Sequence, residues 1–360
     1  MNAAGATSPS LRAAPRGRAL AACLGLLLAA CDEPVRSLSR AGRFGSLRDL
    51  VLFERNEVGG AAALFFDRFE VTRGDWASFV ETPAGRAVEA DAAAWQGDPT
   101  LPVAFVDLRQ ARAFASWRFL RLPRVDEWAF VTVGDRRNAF PWGSKVDPTR
   151  ANTAELGLGQ PTPVGTFESG RRAGSDQPYD LVGNVSEWTE SVPGSWWEER
   201  GTEAQTAVLD PVSGLRVCRQ RVLATPALAA WQGLGGLVPT AWLLAAGGSH
   251  VPREVVGADF QTPMADGLLV DVVAAGDRRS RTGIRLCATA AELLVALGRE
   301  TSPLSAVDES QVRRFVRRGL HREVLLEAWA TLEAAGHVFT PGPITDVLRQ
   351  ELGFAPNAGG

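Results

Sequence analysis

Residues 179–188 read YDLVGNVSEW, with Asp180 and Glu187 on either side of a Gly183-Asn184 turn and Trp188 closing the stretch. Two acids held this close repel unless a cation or hydrogen-bond donors meet them in the folded chain. Gly-Asn is itself a turn signal, and Asp180 can bond its own backbone there. The residues alone leave two readings open: a plain hairpin turn, or a loop whose oxygens hold a hard cation such as Ca²⁺.

The surrounding chain limits the alternatives. Its 360 residues are 45% apolar and 22% charged, enough to bury one large core or two smaller ones. A net charge of -3 and a pI near 5.8 speak against nucleic acid as a partner, whose binding surfaces are strongly basic. At the N-terminus, Arg12, Arg16 and Arg18 precede an apolar run from Ala19 to Ala30, the charge order and length of a signal peptide. The run ends in Leu28-Ala29-Ala30-Cys31, which resembles the lipobox of bacterial lipoproteins. The expectation is a leader over 1–30, an acylated Cys31 heading a tether over 31–46, and an exported, membrane-anchored lipoprotein of a bacterial cell envelope. With Cys23 in the leader and Cys31 lipidated, Cys218 and Cys287 remain in an oxidising compartment, either as a disulfide or as two buried thiols.

From Leu47 to about 289, short apolar or aromatic runs alternate with Gly, Pro, Asn and Asp turns. Helical spacing is clear in two places. Thr72 to Thr82 puts Trp76, Phe79 and Val80 on one face, and Leu108 to Phe119 turns Ala111, Phe114 and Ala115 inward. Pro123 and Asp126 suit the start of a further short helix anchored by Leu122 and Trp128. From 290 to 360 the pattern becomes helical throughout, in AAELLVALGRE, ESQVRRFVRRGLHREVLLEAWATLEAAGH and ITDVLRQEL. This reads as a small C-terminal extension whose basic face (Arg313, Arg314, Arg317, Arg318, Arg322) is solvated among acids such as Glu309 and Glu323, with lipid-headgroup contact as the alternative.

The blocks FFDRFEVTRGDWASFV, RLPRVDEW, FPWG, TPVGTF, YDLVGNVSEW, AAGGSH and TGIRLCA follow one another in the order of the formylglycine-generating enzyme, or sulfatase-modifying factor, family. The resemblance spans about Leu64 to Ala288. It implies an α+β class: an irregular mixed fold related to C-type lectins, here over 47–289. It also implies a calcium site, with side-chain oxygens from Asp180 and Glu187 and backbone carbonyls from Gly183 and Val185. Asn152 and Thr153 match the start of the family's second ion site, but its later Asp has no counterpart, so one ion is expected.

The chemistry implied by the family is missing. Its oxygen-dependent members use a copper-binding cysteine pair, yet the segment from Ser249 to Thr282 contains no Cys, and Cys218 and Cys287 fall outside it. The iron-dependent branch needs several His ligands, and only His250, His321 and His337 are present. Neither copper, haem nor nucleotide is expected. Ser249 and His250 are neighbours on an extended segment and point apart, which defeats a nucleophile and base pairing. Ser249, Arg253 and Arg285 mark where the family cleft would lie. The stretch from Thr189 to Ala246, with Trp196, Trp197 and Trp231, is long enough to be functional, and its aromatics either bind sugar or protein or pack on the core. The expected function is a non-catalytic, membrane-anchored recognition or assembly module for protein or glycan. An enzyme with altered, metal-assisted chemistry in the old cleft is the alternative.

Overall fold

Helix α1 (Arg73–Val80) begins where Thr72 and Asp75 close a capping box, each side chain bonding the other's backbone NH. Asp107 and Gln110 do the same for α3 (Leu108–Trp117), and between them Thr82 and Pro83 start the single turn α2 (Pro83–Arg86). Helix α4 (Val125–Val133) follows Pro123. The long helix of the sequence reading stops short of Phe119 because Phe119 takes a left-handed backbone with φ of +63°. The inward faces are those expected. Trp76, Phe79 and Phe114 are wholly buried, with Trp76 stacked on Phe114 at 5.5 Å and Phe79 edge-on to it at 5.3 Å.

These details come from a computed structural model that describes residues 43–54, 63–133, 140–145, 147–174, 176–191, 208–209, 216–217, 242–250 and 270–355. The expected leader and Cys31 lie outside the described residues, as do Cys218, Arg253, Trp196, Trp197 and Trp231.

The strands are short: β1 (Leu50–Phe53), β2 (Leu64–Asp67), β3 (Ser186–Trp188), β4 (Val208–Leu209), β5 (Arg216–Val217), β6 (Trp242–Ala246), β7 (Val270–Ala274), β8 (Thr282–Gly283) and β9 (Cys287–Thr289). One antiparallel sheet runs β1-β2-β9, and a second runs β7-β6-β3-β8 with β3 and β8 parallel. A separate antiparallel pair joins β4 to β5.

The first sheet is buried on both faces, and the period of two along each strand sorts its residues. Phe65, Leu50 and Ala288 enter the large core, while Phe66, Leu64, Val51 and Cys287 enter a smaller one with Trp128 and Leu181. What covers the large-core face is the C-terminal helices: α5 (Ala290–Gly298), α6 (Ala306–Val316), α7 (His321–Ala334) and α8 (Pro343–Leu352). Phe315 of α6 packs on Phe65 at 5.1 Å, and His321 of α7 lies edge-on to it at 4.9 Å. The helical extension read from residue 290 thus packs on the first sheet and shares its core. Without those helices a row of Phe and Leu side chains on the sheet would face water, so they complete the core. The basic face is likewise built in: Arg318 donates to the carbonyls of Arg48 and Leu50 and pairs with Asp176, and Arg322 donates to the carbonyls of Glu351 and Leu352.

The architecture is α+β, with small sheets wrapped by helices and long loops. Among the described residues no helix is long and apolar enough to cross a membrane.

Candidate functional site

The 179–188 stretch takes its shape from three left-handed residues: Asp180 at φ +52°, Gly183 at +86° and Asn184 at +58°. Gly183 has no substitute, since a Cβ there would sit 2.4 Å from the carbonyl oxygen of Asn152. That close approach lets the Asn184 NH donate to the same carbonyl at 2.7 Å.

Asn184, read from the sequence only as a turn former, is the hub of the loop. Its Oδ1 accepts from Asn152 Nδ2 at 3.1 Å and from the Thr162 NH at 2.9 Å. Its Nδ2 donates to Glu70 at 2.6 Å and to the Thr162 carbonyl at 3.2 Å. Its own carbonyl accepts from the His250 NH at 3.0 Å and from His250 Nδ1 at 2.6 Å. His250 is therefore a neutral, buried tie; burial, and then Arg281, lower its pKa.

Asp180 and Glu187 are brought together, but their immediate partners come from elsewhere. Glu187 Oε1 accepts from Arg285 Nε at 2.7 Å, and Oε2 accepts from the indole NH of Trp128 at 2.8 Å. Arg285 spends its remaining donors on the carbonyls of Asp67 at 3.2 Å, Tyr179 at 2.9 Å and Asp180 at 3.4 Å. Both Glu187 and Arg285 are essentially inaccessible, at 1% and 0% exposure. Asp180 Oδ2 accepts from the Gly165 NH at 2.6 Å.

Glu70 is the site residue that the sequence reading missed. It is fully buried, bonded to Asn184 and to the Val185 NH at 3.1 Å. Its position between Phe69 and Val71, an acid flanked by two apolar residues, was the available signal. The cluster thus sets three buried carboxylates, Glu70, Asp180 and Glu187, against the guanidinium of Arg285. Burial and then the Asp180 charge push Glu70 well above the usual carboxylate range, while Arg285 pulls the other way. Glu187 is also raised by burial, against the pull of Arg285.

One expectation needs correcting. Arg285 does not line an open cleft with Ser249; it is bonded inside the core, while Ser249 is half-buried. Cys218 lies outside the described residues, and of the two readings left open for the cysteines, Cys287 takes that of a buried free thiol. It sits in β9, facing the small core, with Arg121 Nη1 at 3.2 Å and Glu127 beyond. Burial drives its pKa well up, with Arg121 opposing, so it stays a protonated, unreactive thiol.

Comparison with known proteins identifies a family and several relatives. The family description "Sulfatase-modifying factor enzyme 1-like domain" matches residues 54–256, more than half of the chain. A protein named inactive C-alpha-formylglycine-generating enzyme 2 from Bos taurus is 40% identical over 101 residues, covering 25% of this chain and 33% of that protein. The formylglycine-generating enzyme of Bos taurus is 30% identical over 118 residues, 30% of each chain. The chain thus spans about a third of the length of these curated relatives. Among solved structures, PvdO from Pseudomonas aeruginosa covers 66% of this chain and 89% of its own, with 16% identity and a TM-score of 0.41. From Glu54 through the GNVSEW loop, the chain belongs to the sulfatase-modifying factor enzyme 1-like family.

Proposed function

We propose that this protein is a non-catalytic member of the family, acting as a lipid-anchored recognition or assembly module that offers its loops to a protein or glycan outside the membrane. The observation that carries the reading is the use made of its reactive groups. Glu187 and Arg285 are a buried structural pair, His250 is tied to a backbone carbonyl, and Cys287 is an inaccessible thiol. Groups so engaged cannot accept or donate a proton at a substrate, because nucleophiles and bases must reach the reacting atom. The lack of cysteine between Ser249 and Thr282 supports the same reading, as does a relative whose name carries the word inactive.

The deciding experiment incubates the protein with a cysteine-bearing sulfatase-motif peptide, copper and oxygen. The expected product is unmodified peptide; formylglycine in it would overturn the reading. Anchoring rests on Leu28-Ala29-Ala30-Cys31 and is tested separately, by mass spectrometry of the membrane fraction. An acylated Cys31 at the mature N-terminus is expected, and an unmodified terminus further along would remove the anchor from the proposal.

Calcium belongs to the same proposal as a structural ion, held by Asp180, Glu187 and the carbonyls of Gly183 and Val185. The buried excess of carboxylates over guanidinium suits an added cation, which would supply countercharge and no chemistry. Because Glu187 already serves Arg285 and Trp128, Asp180 carries more of the burden than the loop sequence implies.

A further inference from the structure

We propose that the groove along α6 binds a phosphate-bearing anion. It is a surface cavity of about 350 Å³ lined by Ala306, Glu309, Ser310, Arg313, Arg314 and Arg317. The proposal does not rest on the recognition reading above.

The argument is a count of donors and charges. Arg313 is committed: it bonds Glu309 at 2.7 Å, Glu351 at 2.5 Å and Gln350 at 2.7 Å. Arg317 gives Nε and Nη2 to Glu351, at 2.5 and 2.7 Å, which leaves its Nη1 uncommitted among the described residues. Glu351 is spent on both arginines, and the hydrogen bond from Arg317 helps hold its carboxyl below the usual range. Arg314 is exposed and makes no hydrogen bond or ion pair among the described residues. The groove therefore carries three guanidinium groups against Glu309 and Glu351, with the surplus charge on Arg314.

Ser310 and Arg314 stand at i and i+4 of α6 and Arg317 follows at its C-cap, so a hydroxyl, the Arg314 fork and the remaining Nη1 of Arg317 share a stripe. A tetrahedral oxyanion accepts from several forks at once, which is the pairing guanidinium groups favour. At about 350 Å³ the cavity has room for a phosphate with or without a small organic group. Arg313 and Arg314 also complement the C-terminal end of the α6 dipole, a stabilising role that needs no ligand. For that reason the test reads binding rather than stability.

The full chain in detergent is titrated calorimetrically with inorganic phosphate, with dihexanoylphosphatidylglycerol and with acetate at matched ionic strength. Saturable binding of phosphate, the lipid or both is expected, weakened about tenfold by Arg314→Gln, the loss typical of a charge-assisted hydrogen bond. Arg86→Gln, at an exposed arginine of α2, leaves it unchanged. Binding of the lipid alone assigns the site to a headgroup, and binding of inorganic phosphate assigns it to soluble phosphates. The proposal fails if neither probe saturates, if acetate binds equally well, or if Arg314→Gln changes nothing.

Discussion

At the scale of single residues, the Arg285–Glu187 pair decides how the loop responds to change. Removing one partner of a buried pair strands a charge, a loss of about 3–5 kcal/mol. Arg285→Met is therefore expected to destabilise by that order in urea titration, and adding Glu187→Gln should restore much of the loss by removing the stranded anion. For the same reason Glu187→Gln is a poor probe of calcium, because it strands Arg285 whether or not an ion binds. Asp180→Asn is the cleaner variant, since an amide oxygen still accepts from the Gly165 NH. Calcium at about 100-fold over Kd should stabilise the wild type by about 2.7 kcal/mol, read as a higher melting temperature, and Asp180→Asn should lose most of that gain. If calcium moves neither melting temperature, the loop is a hydrogen-bonded turn and nothing more. Nearness of Asp180 to Glu187 was legible in the sequence. Their partners were not, because Arg285 and Glu70 arrive from distant segments and no local pattern encodes which charges will meet.

At the scale of elements, the junction of α6 and α7 makes stability depend on pH. His321 is buried between Phe65 and Phe315, and its Nδ1 lies 2.8 Å from the Phe315 carbonyl, so that nitrogen carries the proton of a neutral ring. Burial, with Arg318 opposing a second proton and Asp176 favouring it, lowers its pKa to about 4. An unfolded histidine titrates near 6.5, so protons bind the unfolded chain more tightly. The stabilisation is complete above about pH 6.5 and is lost as pH falls toward 4, by about 2 kcal/mol at pH 5. Urea midpoints at pH 7 and pH 5 should separate the wild type from His321→Gln, whose lower stability should fall less on acidification. Equal losses in both proteins would show that His321 does not titrate in this range. Helices α1 and α3 were readable from apolar spacing, and their capping boxes sharpen what the spacing gave. The helical character of 290–352 was equally plain, but amphipathic stripes do not say which surface they will cover.

At the scale of the whole molecule, that surface is the first sheet. Phe65, Leu50, Phe315, Leu325 and Leu348 share one core, so the family body and the C-terminal helices should unfold together. Deleting residues 290–360 is expected to abolish a sharp thermal transition and to expose dye-binding apolar surface. A truncated protein that still melted cooperatively would restore the helices to the status of an appendage. Order of the sequence blocks gave the family region, because motif succession survives in the linear chain. The shared core escaped it, because it joins residues far apart along that chain.

The reach of Arg318 back to the carbonyls of Arg48 and Leu50 has a consequence in time. A chain is made from its first residue onward, and β1 must wait for the last helices before its sheet is covered. Until α6 and α7 emerge, Phe65 lacks the Phe315 and His321 rings that pack on it. Contacts this far apart in sequence also close slowly.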